Sequence, residues 1–268
     1  KNLTYSYTLH HLYKDPAGLY KSASYALWTT NQDYSEMQVA TIGENNICLA
    51  LLSKKELLTS TITLVAFNKS TTTATFTLGE VVSLNHPEGG SISTFSLVSN
   101  GKTRVVLLSN SLGALGLLGY TWDGITKEVK LFALPNEFSF AATGNRKVNI
   151  ERIACWPLEA LKLECYVDCE GVTDYVFDVT VNELATVSSD FVTSIVLKST
   201  ITLPPGYSVA KVDKAGSVYG FLMKKIIPLT PPTPSVRILQ GKKIEKFTDC
   251  DQFIALYDPK RSTFMYTA

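Results

Sequence analysis

The sequence lacks a long apolar run and an excess of charge, and each absence excludes a class of protein. Every apolar run is short and interrupted by Ser, Thr or Lys, so none reaches the roughly 18–20 residues that a membrane-spanning helix needs. The 25 Lys and Arg residues are balanced by 24 Asp and Glu residues, which leaves no basic footprint for nucleic acid. We therefore expect no membrane span and no nucleic-acid partner.

Histidine is scarce, and the three histidines do not form a cluster in the sequence. His10 and His11 are adjacent, so in a strand they point to opposite faces, and His86 precedes Pro87 in an expected loop. The glycine-rich segment 113–119 departs from the dinucleotide-binding pattern and precedes no helical periodicity. We therefore assign no catalytic, cofactor-binding or metal-binding residue.

Cysteine is sparse and odd in number, which in a secreted chain leaves at least one thiol unpaired or in an intermolecular bond. The five cysteines are Cys48, Cys155, Cys165, Cys169 and Cys250. Cys48 lies in an apolar strand and is expected to be a small buried hydrophobe. Cys155 and Cys165 are placed to face each other across a hairpin. We hypothesise one disulfide among Cys155, Cys165, Cys169 and Cys250, and leave its pairing open.

Two triplets fit the acceptor pattern for N-linked glycans: Asn2-Leu3-Thr4 and Asn68-Lys69-Ser70. Chance occurrence is the alternative, since the pattern is short, but Asn68 is expected in an exposed turn. The chain begins at Lys1 and shows no signal-peptide pattern, so we expect a processed mature protein or a piece of a longer one. We hypothesise an extracellular location, with a cytoplasmic one as the alternative.

What the sequence does contain is a repeat of β-like runs with a period of about 57 residues. The first run of each unit lies at Val39, Leu97, Ile150 and Val209, at spacings of 58, 53 and 59. The second runs begin at Ile47, Val105, Leu161 and Val218, the third at Ile62, Leu117, Tyr175 and Val236, and the fourth lie near Ala74, Val129, Leu184 and Ile244. Helical periodicity is scarce, so the pattern predicts an all-β chain of four-stranded units.

The apolar content predicts how these units pack. A four-stranded sheet that is apolar on both faces cannot bury either face alone, so neighbouring units must stack face to face. A tandem of small sandwich domains is the alternative. Units of about 57 residues are small for that arrangement, and they lack the disulfide and Trp of an immunoglobulin-like core.

The turns between the third and fourth runs carry a resemblance to a known architecture. In the first two units they read Val65-Ala66-Phe67-Asn68-Lys69-Ser70-Thr71 and Tyr120-Thr121-Trp122-Asp123-Gly124-Ile125-Thr126. A similar pattern, Leu256-Tyr257-Asp258-Pro259-Lys260-Arg261-Ser262-Thr263, occurs near the end of the chain. Over residues 34–250 the chain resembles β-propellers in general, which implies a ring of four-stranded blades. A repeated Trp-Asp dipeptide, Kelch glycine pairs and sialidase-type Asp boxes are missing, so no particular propeller family is indicated.

We expect residues 1–268 to form one propeller domain of five blades, the last of them closed by both termini. The expected blades are residues 34–90, 91–146, 147–204, 205–252, and 253–268 together with 1–33. In the fifth blade, Thr263–Thr267 supplies a first strand, while Tyr5–His10 and Leu19–Lys21 supply the third and fourth. Such closure removes exposed sheet edges. The alternatives are a slice of a longer propeller, or an open strand that pairs with a neighbouring molecule.

Acidic residues bear on catalysis because five-bladed propellers include glycoside hydrolases, which use a pair of Asp or Glu residues. Asp213 and Glu151 lie on or near first strands, and Asp33 and Glu36 precede one. No Asp on a first strand recurs between units, so we interpret all four as solvated surface residues. Residues 150–200 carry a balance of −6 and residues 201–268 one of +5. We interpret these as an ordinary solvated surface, with charge-guided self-association as the alternative.

The function predicted from these features is a non-enzymatic extracellular binding or assembly module that contacts a protein, a glycan or its own copies. The first alternative is a carbohydrate-active enzyme of the five-bladed kind, which would require two carboxylates in the axial funnel. The second alternative is a subunit of an extracellular filament, in which a terminal strand would complete a neighbour's sheet.

Overall fold

The computed structural model shows an all-β protein, as the sequence predicts. It describes residues 4–31, 33–42, 46–53, 60–69, 76–100, 103–122, 127–133, 149–159, 161–170, 173–182, 192–204, 206–225 and 252–267. Within these ranges there are 18 strands. The described part of the chain holds no helix of the length and apolarity that a membrane span requires.

Sixteen of the strands form four antiparallel sheets, each a meander with strands in sequence order. Sheet 1 comprises β3 (Tyr34–Ile42), β4 (Asn46–Ser53), β5 (Ile62–Lys69) and β6 (Phe76–Leu84); sheet 2 comprises β7 (Ile92–Asn100), β8 (Thr103–Asn110), β9 (Leu115–Trp122) and β10 (Lys127–Ala133). Sheet 3 comprises β11 (Ile150–Glu159), β12 (Lys162–Cys169), β13 (Thr173–Val181) and β14 (Val192–Thr202); sheet 4 comprises β15 (Tyr207–Ala215), β16 (Val218–Lys225), β17 (Gln252–Asp258) and β18 (Thr263–Thr267). The repeated four-stranded unit is thus present four times.

Each first strand carries a β-bulge at the same place in its sheet. One residue there has no partner in the second strand: Ser35, Ser93, Glu151 or Ala210. These residues are 58, 58 and 59 positions apart. The bulge is therefore a more regular marker of the repeat than the apolar runs. A bulge bends its strand and redirects its side chains, so all four first strands are shaped alike.

The sheets stack face to face, as predicted from the apolar runs, and the two middle sheets bury both faces. In β8, Val106 and Leu108 join a core with sheet 1, whereas Val105 and Leu107 join a core with sheet 3. Sheets 3 and 4 share a third core, which includes Phe221. Alternate residues of one strand thus pack against two different neighbouring sheets.

Sheet 4 corrects the predicted fifth unit. Thr263–Thr267 is the fourth strand of sheet 4 and pairs with β17, so the prediction that it starts a fifth unit is wrong. The tight turn explains the pairing: Asp258 lies opposite Thr263, and the Asp258 carboxylate accepts the Lys260 backbone N–H at 3.0 Å. The predicted strands at Val236 and Ile244 lie outside the described residues. Sheet 4 therefore continues past the expected boundary at 252.

The remaining two strands form a separate hairpin beside sheet 1. Strand β1 (Tyr5–Lys14) pairs with β2 (Tyr20–Thr30), and the ring of Tyr7 meets that of Tyr34 edge-on at 5.9 Å between centroids. The hairpin covers the predicted segments Tyr5–His10 and Leu19–Lys21. In sheet 3, the strand expected near Leu184 falls outside the described residues, and the fourth strand observed is β14. No sheet closes into a ring in the part of the chain that the structure describes.

Candidate binding cleft between the first strands

The first strands of neighbouring sheets approach each other most closely and enclose a cleft. Cα atoms of β3 and β7, of β7 and β11, and of β11 and β15 come within 8 Å of each other. The cleft between these strands has a volume of about 550 Å³, which is within the range of small-ligand sites. Its lining is mostly polar: Glu36, Gln38, Ser93, Thr94, Ser96, Glu151, Arg152 and Lys211, with Leu97, Ile153, Ala154, Cys155 and Val212.

The bulges decide which side chains face the cleft. The residue that follows the bulge lines the cleft in all four sheets: Glu36, Thr94, Arg152 and Lys211. The bulged residue itself also lines it in sheets 2 and 3, because the bulge interrupts the strict alternation of side chains. One backbone feature thus directs an acid, a hydroxyl and two bases into a single space.

Side chains on these strands also fix the spacing of the cleft walls. The Gln38 side-chain amide donates to the Phe95 carbonyl at 2.8 Å and accepts the Leu97 N–H at 2.9 Å. The Ser96 hydroxyl accepts the Cys155 N–H at 3.0 Å, and Arg152 donates to the carbonyl of the next first strand. These contacts span 57 or 59 residues, so each links one repeat to the next. They hold neighbouring first strands together along the cleft.

Charges of both signs meet in the cleft. Burial raises the pKa of Glu36 above its ordinary value, although a hydrogen bond from Gln38 and the charge of Arg152 oppose the rise. Glu151 and Lys211 also line the cleft and are exposed to solvent. The cleft therefore offers hydrogen-bond acceptors and donors together, which suits a ligand rich in hydroxyl groups.

Of the four acids singled out in the sequence, the structure brings two together. Glu36 and Glu151 both line the cleft, whereas Asp33 and Asp213 are not among its lining residues. Asp213 is exposed, and its carboxylate accepts the Lys214 N–H at 2.7 Å. The interpretation of all four acids as solvated surface groups is therefore wrong for Glu36, whose side chain is partly buried.

The described histidine side chains lie away from the cleft. The Nδ1 atom of His10 is 2.9 Å from the Ser24 hydroxyl in the exposed hairpin. His86 is buried, which lowers its pKa to about 4, and its Nδ1 accepts the Glu88 N–H at 3.1 Å. His11 lies in β1, and its side chain is outside the description. Among the described residues, no group of His, Cys, Asp and Glu is arranged to hold a metal ion.

The predicted cysteine and glycan positions fall in different environments. Cys155 lines the cleft, and Cys165 and Cys169 are buried in β12. The side chain of Cys48 and the whole of Cys250 and Asn2 lie outside the described residues. Asn68 was expected in a turn but is the penultimate residue of β5, half-buried and opposite Asn46 and Thr77.

Sequence reasoning missed a set of buried acids. The four acids concerned are Glu164, Asp168, Asp174 and Asp178, all at most 8% exposed. They lie in sheet 3, where Glu164 contacts Lys214 and Tyr219 of sheet 4. The interpretation of the acidic segment 150–200 as a solvated surface is therefore wrong for these residues. The available signal was their position along the strand. Glu164 and Asp168 each lie two residues from the apolar Tyr166, so all three side chains are on the same face of β12.

No protein-family model matches the chain, and no curated protein matches it in sequence.

Proposed function

We propose that this protein is a non-enzymatic binding module that holds a saccharide unit of a glycan in the cleft between its first strands. The observation that carries the proposal is the convergence of side chains from four repeats on one cleft of about 550 Å³. Acceptors on Glu36 and Glu151, donors on Arg152 and Lys211, and the hydroxyl of Thr94 match the mixed donors and acceptors of sugar hydroxyl groups. The cross-links between first strands support binding, since a pre-formed site loses less entropy when it takes up a ligand.

We propose in addition that the stacked sheets are blades of a propeller on an extracellular protein. Support comes from the first strands, which approach each other as inner strands of blades do. The outer faces of the two end sheets give further support. Met37 and Val39 of sheet 1 and Ile254 of sheet 4 are each more than half exposed, and a ring would cover such faces.

Images of single particles test the propeller proposal. Class averages from electron microscopy should show a disc with blades around a central depression. A row of sheets without a common centre would contradict the proposal. Molecules joined end to end through the apolar outer faces would favour the alternative of a filament subunit.

Binding to a panel of immobilised glycans tests the proposed function. Glu151→Gln and Lys211→Ala change exposed cleft residues, so they should weaken binding of the selected glycan about tenfold, or about 1.4 kcal/mol. Lys224→Ala is the matched control, because Lys224 is exposed on β16 and does not line the cleft. Absence of binding across the panel, or equal binding by all three variants, would refute the proposal. Capture of a protein with unchanged glycan binding would indicate a different partner class.

A carbohydrate-active enzyme is the second candidate, because two carboxylates line the cleft. Burial raises the pKa of Glu36, which is the property required of a general acid, and the solvated Glu151 would serve as base or nucleophile. The same panel separates the two functions. Release of sugar that is abolished by Glu36→Gln would establish the enzyme, whereas binding without release supports the module.

A further inference from the structure

Two cysteine side chains meet across the first and second strands of sheet 3. Cys155 and Cys165 are directly opposite in the antiparallel ladder, and their sulfur atoms are 2.6 Å apart. Carbon atoms in van der Waals contact normally sit roughly 3.5–4.0 Å apart, and sulfur atoms are larger than carbon. Directly opposite residues have Cα atoms about 4.5–5.5 Å apart, which lies inside the range of about 4.4–6.8 Å that a disulfide spans.

Cys169, the other cysteine whose side chain is described, cannot take part in this pairing. Cys169 lies four residues beyond Cys165 on the same strand, opposite Ile150. A strand rises about 3.3 Å per residue, so the two positions are about 13 Å apart. Among the described cysteines, the backbone therefore allows only the pairing of Cys155 with Cys165.

The two thiols differ in their access to solvent. Cys165 is fully buried in the core between sheets 2 and 3, whereas Cys155 is partly buried and lines the cleft. The Ser96 hydroxyl holds the Cys155 backbone N–H at 3.0 Å, which fixes this part of the cleft wall. Burial and the neighbouring Cys155 sulfur raise the pKa of the Cys165 thiol. A reagent that enters the cleft therefore meets Cys155 first.

We propose that Cys155 and Cys165 form a disulfide by exchange with a low-molecular-weight disulfide such as oxidised glutathione, which reaches Cys155 through the cleft. Cys155 loses its proton to solvent, and the thiolate attacks one sulfur of the reagent, which forms a mixed disulfide and releases one thiolate. Cys165 loses its proton to solvent and attacks the Cys155 sulfur, which expels the second reagent thiolate; both released thiolates take up a proton. Two protein thiols are oxidised, and one reagent disulfide is reduced to two thiols. This proposal does not depend on the nature of the cleft ligand.

Peptide mapping tests the pairing on the full chain. The reduced protein is incubated with oxidised glutathione, alkylated in denaturant and digested with trypsin. Cleavage after Arg152, Lys162 and Lys198 gives peptides 153–162 and 163–198, and we expect them joined and lighter by two hydrogens. Cys169→Ala should give the same joined pair, which assigns the bond to Cys165. Cys155→Ala should lose it and leave Cys165 alkylated.

The order of reaction tests the route through the cleft. In the native reduced protein, we expect iodoacetamide to modify Cys155 at least about tenfold faster than Cys165, because Cys155 is partly exposed and Cys165 is fully buried. The wild-type result does not depend on whether a variant folds. Alkylation of both cysteines after oxidation, or a glutathione adduct at Cys155 without the joined peptides, would overturn the disulfide. Equal rates of alkylation would overturn the route.

Discussion

Glu164→Ala is expected to lower the free energy of unfolding by about 3–5 kcal/mol, because it leaves the buried Lys214 ammonium without its carboxylate partner. The Glu164 side chain is only 3% exposed. One carboxylate oxygen accepts Lys198 Nζ at 2.8 Å, and the other accepts Lys214 Nζ and the Tyr219 hydroxyl. Lys214 and Tyr219 belong to sheet 4, so the same carboxylate ties two sheets together.

The dependence of stability on pH gives an independent prediction for Glu164. Burial alone would raise the pKa of this carboxyl, but hydrogen bonds from Lys198, Lys214 and Tyr219 outweigh it and lower the pKa. A lowered pKa stabilises the fold above the unfolded value of 4.5, and that stabilisation is lost as pH falls through the folded value. The stability gap between wild type and Glu164→Ala should therefore narrow upon acidification below pH 4.5.

Denaturant unfolding followed by circular dichroism measures this effect. Glu159→Ala is the control, because Glu159 is 70% exposed and lies 3.9 Å from Lys162. A surface pair of that kind contributes at most about 1 kcal/mol. A loss below about 1 kcal/mol for Glu164→Ala would mean that solvent replaces the carboxylate, and the network would not join the sheets.

The strands and their packing could be predicted because they depend on short local runs of apolar residues. The run from Val105 to Leu108 is apolar at every position, and the structure buries odd and even positions against different neighbours. The position of sheet 4's later strands was mispredicted because a constant period was imposed. The hairpin pattern around Tyr257 and Asp258 was the correct signal, since it depends on turn chemistry and not on loop length.

The cleft could be predicted only in part, because it depends on the backbone. Glu36 and Glu151 were recognised as acids near first strands. Arg152 and Lys211 were not, because a bulge determines their direction and a single sequence does not reveal a bulge. The repeat at Ser35, Ser93 and Glu151 becomes visible only when the ladder registers are known.

The sheet 3–sheet 4 boundary shows why a net charge does not locate a surface. The acids of β12 and β13 alternate with residues such as Val167 and Phe177 that enter the other core. Each of these acids therefore faces sheet 4. Some of them have hydrogen-bond partners for both carboxylate oxygens, and others do not. Glu164 is fully paired, whereas one oxygen each of Asp168 and Asp174 has no hydrogen-bond partner among the described residues.

Asp168→Asn is expected to stabilise the protein at pH 8 by about 3 kcal/mol and to change little at pH 4. Asp168 and Asp174 are at most 2% exposed and hydrogen-bond to each other. Burial and the charges of Asp174 and Glu151 raise the pKa of Asp168 to about 8, against an opposing effect of Arg152. Burial raises the pKa of Asp174 to about 7, although hydrogen bonds from the Tyr166 hydroxyl and the Cys169 backbone oppose the rise.

The sign follows from the protons that each state binds. Unfolded aspartate releases its proton near 3.8, whereas the folded pair retains a proton up to about pH 7–8. The folded state therefore binds more protons across this window, and wild-type stability falls as pH rises from 4 to 8 by up to about 1.4 kcal/mol per pH unit for each retained proton. An asparagine amide donates to the Asp174 carboxylate as the protonated Asp168 does, but it has no proton to lose. The stability of the Asp168→Asn variant should therefore fall less steeply than that of wild type as pH rises from 4 to 8.

Thermal unfolding of wild type and Asp168→Asn at a series of pH values tests this expectation. Asp213→Asn serves as the control, because Asp213 is exposed on β15 and its removal should shift neither the midpoint nor its pH dependence. If Asp168→Asn destabilised the protein equally at pH 4 and pH 8, the buried pair would be ionised at both values and held by Arg152. If the stabilisation grows with pH instead, the two carboxyls share a proton that the fold must keep, and the interface between sheets 3 and 4 weakens when that proton leaves.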